Sequence, residues 1–261
     1  MSRKVSKRKR PSRDEHMMRE MRIDEAALDI DTMRRLSKFY NKQIITHLKR
    51  MLATGKEADI YVADAGISPI VEGKSEVILK FFRIGSSSFT NMQDYIKGDP
   101  RFKHVESGKF AIVRIWCRKE FGNLKMAKEG GVSVPTPYLA NYNILAMEFI
   151  GEDTNAAKKL KDVQLDINHA RHILNLIIQN IKLLYQARLV HGDLSEYNVL
   201  LKEEIPYIID LGQAVVTKHP NARAFLKRDV YNIANYFYKT YKIESDVEEI
   251  YLNITGKAAL Q

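Results

Sequence analysis

A carboxylate and a carboxamide five residues apart, followed by a second carboxylate at the end of an apolar run, constrain this chain more than any other feature. They lie in His191-Gly192-Asp193-Leu194-Ser195-Glu196-Tyr197-Asn198 and in Tyr207-Ile208-Ile209-Asp210-Leu211-Gly212. Asp210 stands 12 positions after Asn198. His-Gly-Asp alone occurs by chance, and a polar hairpin between two core strands would also carry Asp and Asn. The carboxamide at its offset together with an Asp closing a strand asks for more than a turn: one oxygen to take a proton and two to hold a cation.

Phosphoryl transfer fits that demand. It asks mainly for positioning and charge stabilisation, because the transferring group is loosely bonded at the transition state. Asp193 would accept or orient the proton of an attacking hydroxyl or water. Asn198 and Asp210 would hold Mg²⁺, or Mn²⁺, against the phosphates of ATP, with phosphate and water filling the remaining shell. The spacing resembles the protein-kinase catalytic loop H-R-D-L-x-x-x-N and the D-F-G that follows it. Gly192 stands where many kinases place an Arg that pairs with a phosphorylated loop, and Leu211 replaces the Phe. Control by activation-loop phosphorylation is therefore not expected. Only 51 residues follow Asp210, with no Ala-Pro-Glu, so a full substrate-docking lobe is not expected.

At 261 residues, 45% hydrophobic and with a mean hydropathy of −0.33, the chain suits a globular protein of one large domain or two lobes. Its apolar runs are far too short for a membrane span, and no signal-peptide core follows Met1. A single Cys117 fits a reducing, cytoplasmic setting. The net charge is +10, and seven of the first 13 residues are basic: Arg3, Lys4, Lys7, Arg8, Lys9, Arg10 and Arg13. Such a run is a solvated tail, an RNA or ribosome contact, or an address; the sequence leaves the three open.

The expected organisation is α+β and two-lobed, like a protein kinase. Residues 1–22 read as a basic, disordered tail and 23–49 as a helical extension, with a helix from Asp31 through Tyr40. Residues 50–150 read as a small β-sheet lobe with one helix. It holds a strand–turn–strand over 52–63, a strand over 77–84, a helix over 110–128 and a strand over 143–150 that leads to a hinge at Gly151. Serines and glycines make 85–109 read as a mobile insertion. Residues 151–261 read as a truncated, mainly helical lobe, with helices over 163–188 and 222–241.

Lys80 sits inside the strand Val77-Ile78-Leu79-Lys80-Phe81-Phe82, where a lone charge is costly and needs a partner. The V-A-I-K strand of kinases supplies such a Lys to ATP phosphates and to a Glu of the next helix. Glu120, the carboxylate on that helix's apolar stripe, is the expected partner, and Glu129 beside the helix stop is the weaker one. Thr54-Gly55-Lys56-Glu57-Ala58 lies where a phosphate-covering loop belongs, though it follows neither standard glycine-rich pattern. Met147, Glu148 and Ile150 are expected to border adenine through backbone groups. Asp229 is expected to brace the catalytic loop by accepting its backbone N–H groups.

With these residues assembled, the chain resembles the RIO family of atypical kinases, most closely its first subfamily in an archaeal-length form. The matching pieces are A-T-G-K-E-A-D-I-Y at Ala53, V-I-L-K at Val77, K-E-F-G-N-L at Lys119 and G-V-S-V-P-T-P at Gly131. They continue with L-V-H-G-D-L-S-E-Y-N at Leu189, Y-I-I-D-L-G-Q-A-V at Tyr207 and H-P-N-A-R-A-F-L-K-R-D-V-Y-N-I at His219. The resemblance implies an ATP-dependent serine kinase or ATPase in small ribosomal subunit maturation. It also implies autophosphorylation on serine and partners in the subunit precursor and its rRNA. Three other readings compete: an aminoglycoside-type phosphotransferase, the small kinase of tRNA threonyl-carbamoylation, and a catalytically silent scaffold. Lys80, Asp193, Asn198 and Asp210 together argue against silence.

Overall fold

The structure, a computed structural model, describes residues 30–84, 95–96, 98–102, 108–152 and 155–256. The basic run from Arg3 to Arg13 and the serines Ser86, Ser87, Ser88 and Ser107 lie outside the described residues. Helix α1 (Ile30–Asn41) opens the described chain and packs on an antiparallel sheet. The sheet has five strands in the order β1 (Ile45–Thr54), β2 (Ala58–Ala65), β3 (Glu76–Phe82), β5 (Ile144–Glu148), β4 (Pro137–Asn141).

Strand β3 is central and buried along its whole length. Its period of two divides the side chains between two layers. Val77, Leu79 and Phe81 meet Leu36 and Phe39 of α1 in one core cluster. Ile78, Lys80 and Phe82 turn the other way, and Phe82 joins the larger cluster that contains Trp116. Lys80 thus faces the second lobe because of its register, not in spite of its charge.

The expected helical extension to residue 49 is too long. The helix ends at Asn41, Gln43 takes a positive φ of 54°, and Ile45–Lys49 already belong to β1. Ile44, Ile45 and Leu48 are buried against the sheet cluster, which favours strand over helix there. Strand β4 had no signal strong enough to expect it. It is short and opens on Pro137, which an edge strand tolerates.

Helix α2 (Lys109–Glu129) buries Val113, Trp116, Glu120, Leu124 and Ala127, the stripe read from the sequence, and also Lys119 and Asn123. The stretch before it is not loose throughout. Ile96 and Asp99 are 4% and 3% exposed, and the Tyr95 ring lies 6.3 Å from Trp116 and 5.4 Å from Phe225. Tyr95, Ile96 and Phe102 are apolar anchors that a reading by serine and glycine content undervalues. Residues 85–94, 97 and 103–107 lie outside the described residues.

After the sheet the chain makes two short ribbon strands, β6 (Gly151–Glu152) and β7 (Asn155–Ala156), then β8 (Lys158–Lys159) and helix α3 (Ile167–Gln186). The helix starts later than Val163 because the Asp166 carboxylate caps it, accepting the Asn168 and His169 N–H groups at 2.9 and 3.0 Å. Strands β9 (Leu189–Val190), β10 (Val199–Lys202), β11 (Ile205–Ile208) and β12 (Val215–Val216) follow. β10 pairs with β11 and β8, and β9 with β12. Helix α4 (Ala222–Tyr241) has the bounds read from the sequence, and α5 (Val247–Thr255) follows under an Asp246 cap. Trp116, Ile177, Leu184 and Phe237 sit in the core that joins these helices to α2. Among the described residues no helix is long and apolar enough to cross a membrane.

Candidate active site

A cleft of about 590 Å³ opens between the sheet and the helical half. Its volume lies in the range of small-molecule sites. Thr54, Gly55, Lys56, Glu57, Ala58, Lys80, Glu120, Met147, Glu148, Ile150, Asp193, Asn198 and Asp210 all line it. The residues expected to bind nucleotide, metal and the reacting proton are therefore in one place, whereas Glu129, the weaker partner for Lys80, is not among them. Ile60, Ile78, Leu200 and Ile209, for which the sequence offers no role, add apolar lining to the cleft.

The charged end is built around Lys80. Its ammonium donates to both Glu120 oxygens at 2.9 and 2.8 Å and to Asp210 Oδ1 at 3.0 Å. Burial works against the Lys80 charge, but the Asp210 and Glu120 carboxylates outweigh it and hold its pKa above the ordinary value. Burial pushes the Glu120 carboxyl up, with Lys80 opposing. The Lys80 charge holds the Asp210 carboxyl below its usual range. Asp210 keeps about half its side chain accessible, 51%, on the cleft side and adopts a positive φ of 63°.

Between β9 and β10 the chain turns through Gly192, whose φ of 81° favours glycine. That backbone requirement explains Gly where many kinases carry Arg. Asp229, 1% exposed, accepts Gly192 N–H at 2.8 Å and Leu194 N–H at 2.9 Å. Arg228 donates to the Gly192 carbonyl, and Asn232 to the Leu194 carbonyl at 3.0 Å. Asp193 is left facing the cleft, its carboxyl raised by partial burial and by the Asp210 charge. Asn198 Nδ2 donates to the Asp193 carbonyl at 2.9 Å, so its oxygen is the atom fit to meet a cation. His191 Nε2 contacts the Ile209 carbonyl at 3.0 Å, and its Nδ1 accepts Asp193 N–H at 3.3 Å.

Helix α2 grips the segment after Asp210. Lys119 Nζ donates to the Gly212 and Ala214 carbonyls at 2.7 and 2.6 Å. Asn123 Nδ2 donates to Leu211 and Ala214 carbonyls at 2.8 and 2.9 Å. Burial pushes the Lys119 ammonium down to about 7. A Cβ on Gly212 would lie 2.9 Å from Trp116 Nε1 and 3.2 Å from Glu120 Oε2, so only glycine allows this approach. Arg101 joins the same network, binding Asp99 at 2.6 Å and Asn123 Oδ1 at 2.9 Å.

The turn from Thr54 to Ala58 is held from below. Gly55 N–H donates to the Ala58 carbonyl at 3.0 Å, and Arg83 N–H to the Glu57 carbonyl at 2.8 Å. The Arg83 guanidinium reaches Asp59 through two nitrogens at 2.9 and 2.6 Å and Thr54 Oγ1 at 2.7 Å. Glu148 spends its carboxylate on Lys74 at 2.7 Å and on the Thr136 hydroxyl at 2.7 Å, so only its backbone is left for a ligand. Among the described residues no three His, Cys, Asp or Glu side chains cluster into a metal cage. Asn198 and Asp210 suit a hard cation that takes most of its oxygens from phosphate and water.

A five-stranded sheet with a Lys–Glu pair to its helix, set over a helical half that carries the Asp–Asn loop and a second Asp, defines a protein-kinase-like fold. The RIO domain model matches residues 59–250. The RIO-type serine/threonine-protein kinase Rio1 of Haloferax volcanii is 35% identical over 258 residues, 97% of this chain and 86% of that protein. Rio1 of Thermoplasma acidophilum is 39% identical, covering 69% of this chain and 94% of that one. Among solved structures, the Rio2 kinase–ADP/Mg²⁺–phosphoaspartate complex from Chaetomium thermophilum shares the fold. Its TM-score is 0.63 at 23% identity, covering 88% of this chain and 67% of that one. The chain belongs to the RIO family, and its archaeal relatives place it with Rio1. This membership sets aside the aminoglycoside and tRNA-modification readings.

Proposed function

We propose that the chain is an ATP-dependent serine kinase with ATPase activity that acts, in the cytoplasm, on precursors of the small ribosomal subunit. The observation that carries the catalytic part is Lys80 bridging Glu120 and Asp210 inside a cleft that Asp193 and Asn198 also line. Lys80 positions the phosphates, the turn from Thr54 to Ala58 covers them with backbone N–H groups, and Met147, Glu148 and Ile150 border the adenine. Asp193 takes the proton of the attacking hydroxyl or water. Asn198 and Asp210 hold Mg²⁺, or Mn²⁺, which neutralises charge on the transferring phosphate.

The ribosomal part is supported by the net charge of +10, with its basic run before Arg13, and by the spacing after Asp210. Only 11 residues, 211–221, separate Asp210 from α4, little with which to hold an extended peptide. A large assembly must then supply the alignment of the phosphoacceptor. Ser86, Ser87, Ser88 and Ser107 are the candidate sites of autophosphorylation.

The test is Mg²⁺-dependent ATP turnover by the purified protein, alone and with small-subunit particles, beside Asp193→Ala. Stimulation by particles that is lost at high salt and in the variant is the expected result. Mass spectrometry locates any phosphate. Fast turnover on a short generic peptide without particle association would overturn the ribosomal part. Unchanged turnover in Asp193→Ala would overturn the catalytic part.

A further inference from the structure

At the N-terminal end of α2, where it meets the β4–β5 turn and α1, lies a second groove of about 430 Å³ that shares no lining residue with the nucleotide cleft. Its lining among the described residues includes three cations, Arg35, Lys109 and Arg114, and no Asp or Glu. Two aromatic rings stand in it largely in solvent, Phe110 at 64% and Tyr142 at 55% exposure. The Arg35 guanidinium lies 5.7 Å from the Phe110 centroid and 5.4 Å from that of Tyr142, and Arg114 lies 5.7 Å from Tyr142. Arg35 is itself fixed by a 2.8 Å bond to Asn143 Oδ1.

Tyr142 is the informative member. It occupies a left-handed turn position, φ 52°, where Gly or Asn is least strained and a bulky ring is disfavoured. An aromatic this exposed buries little in the core; its partners in the fold are the Arg35 and Arg114 guanidinium groups, and the rest of the ring stands open to a ligand. Rings and guanidinium groups interleaved on one surface are the elements that hold single strands: planes for base stacking beside cations for phosphates.

We infer that this groove binds single-stranded RNA, an unpaired segment of the small-subunit precursor, with bases stacking on Phe110 and Tyr142 and phosphates meeting Arg35 and Arg114. An acidic peptide would satisfy the cations but leave the exposed parts of both rings without a matching partner. The inference rests on the ribosomal reading only for the source of the RNA.

Fluorescence anisotropy of the full chain with a labelled single strand of about ten nucleotides tests it. Phe110→Ala and Tyr142→Asn, the latter kept compatible with the left-handed turn, should each weaken binding about fivefold or more. Arg114→Gln should reduce the slope of log affinity against log salt by about 0.7. ATP turnover should stay at the wild-type level in all three, which separates a failure here from a failure of the kinase reading. Unchanged affinity in the double ring variant would overturn the inference. So would equal weakening for duplex RNA, or a polyglutamate peptide that binds more weakly when the rings are removed.

Discussion

The Asp229 carboxylate accepts the Gly192 N–H at 2.8 Å, which ties helix α4 to the residue just before Asp193. The same carboxylate takes the Leu194 N–H at 2.9 Å, so the backbone on both sides of Asp193 hangs from one buried group. The backbone around Asp193 is thus held from a helix that lends no residue to the lining of the cleft.

Asp229→Ala should therefore destabilise the protein by about 3 kcal/mol, because two buried N–H donors lose their acceptor. Turnover should fall about a hundredfold in the protein that remains folded, since displacement of Asp193 by about 1 Å is enough for that. Asp229→Asn retains one acceptor oxygen and should lose about half as much stability. Urea unfolding alongside ATP turnover separates the two effects. A variant that loses stability but keeps full turnover would show that the bonds brace the fold and not the loop.

Asp210→Ala should abolish Mg²⁺-dependent turnover, whereas Glu120→Gln should leave a measurable fraction. The reason is geometric: Lys80 contacts Asp210 at 3.0 Å independently of its two bonds to Glu120. Asp193→Ala should lower turnover by about 10² to 10⁴, the usual worth of a positioned base. Equal losses in Glu120→Gln and Asp210→Ala would contradict this ranking.

What could be read from the sequence follows from how local the signal is. Asp193, Asn198 and Asp210 are found by their offsets, and Lys80 and Glu120 by a charge sitting on an apolar strand face or helix stripe. Asp229 was legible for the same reason. Lys119 and Asn123 lie on that same helix and were given no role, because their acceptors are carbonyls 88 to 95 residues away. The Arg83–Asp59–Thr54 contacts depend on the pairing of β2 with β3, which no local pattern states. The anchored part of 85–109 was hidden because serines and glycines outnumber the aromatic residues that hold it.

His191 should make both stability and activity sensitive to acid. It is 1% exposed, and burial, the largest effect, lowers its pKa below the ordinary value. Its ring is neutral in the fold, with Nε2 donating to the Ile209 carbonyl and Nδ1 accepting from Asp193 N–H. Below about pH 6.5 the unfolded chain takes up a proton that the folded chain resists. Stability due to this group is therefore complete above pH 6.5 and is lost as pH falls towards its lowered folded value, at up to about 1.4 kcal/mol per pH unit. Asp193, raised by burial and by Asp210, should bring the acid limb of turnover above the ordinary Asp range. Thermal melts and rate–pH profiles of wild type and His191→Gln measure both. A variant whose stability changes with pH as steeply as wild type would rule out His191 as the source.

Lys119 should govern how well the protein holds its cation, although it touches neither the cleft ligands nor a nucleotide. It is wholly buried, and its ammonium bonds the carbonyls of Gly212 and Ala214 at 2.7 and 2.6 Å, immediately after Asp210. These bonds, with those of Asn123, fix the backbone from which the Asp210 side chain projects. Lys119→Met keeps the length of the stem and removes the donor, leaving two buried carbonyls without it. Stability should fall by about 2 kcal/mol. The more telling effect should be on the metal: groups that orient a ligand from behind are worth about 10- to 100-fold in metal affinity. The Mg²⁺ concentration for half-maximal turnover should therefore rise at least about tenfold, while the ATP requirement at saturating Mg²⁺ stays close to wild type. If Mg²⁺ dependence is unchanged in a folded Lys119→Met protein, the two bonds serve the core alone and Asp210 is positioned by the strand that ends before it, β11.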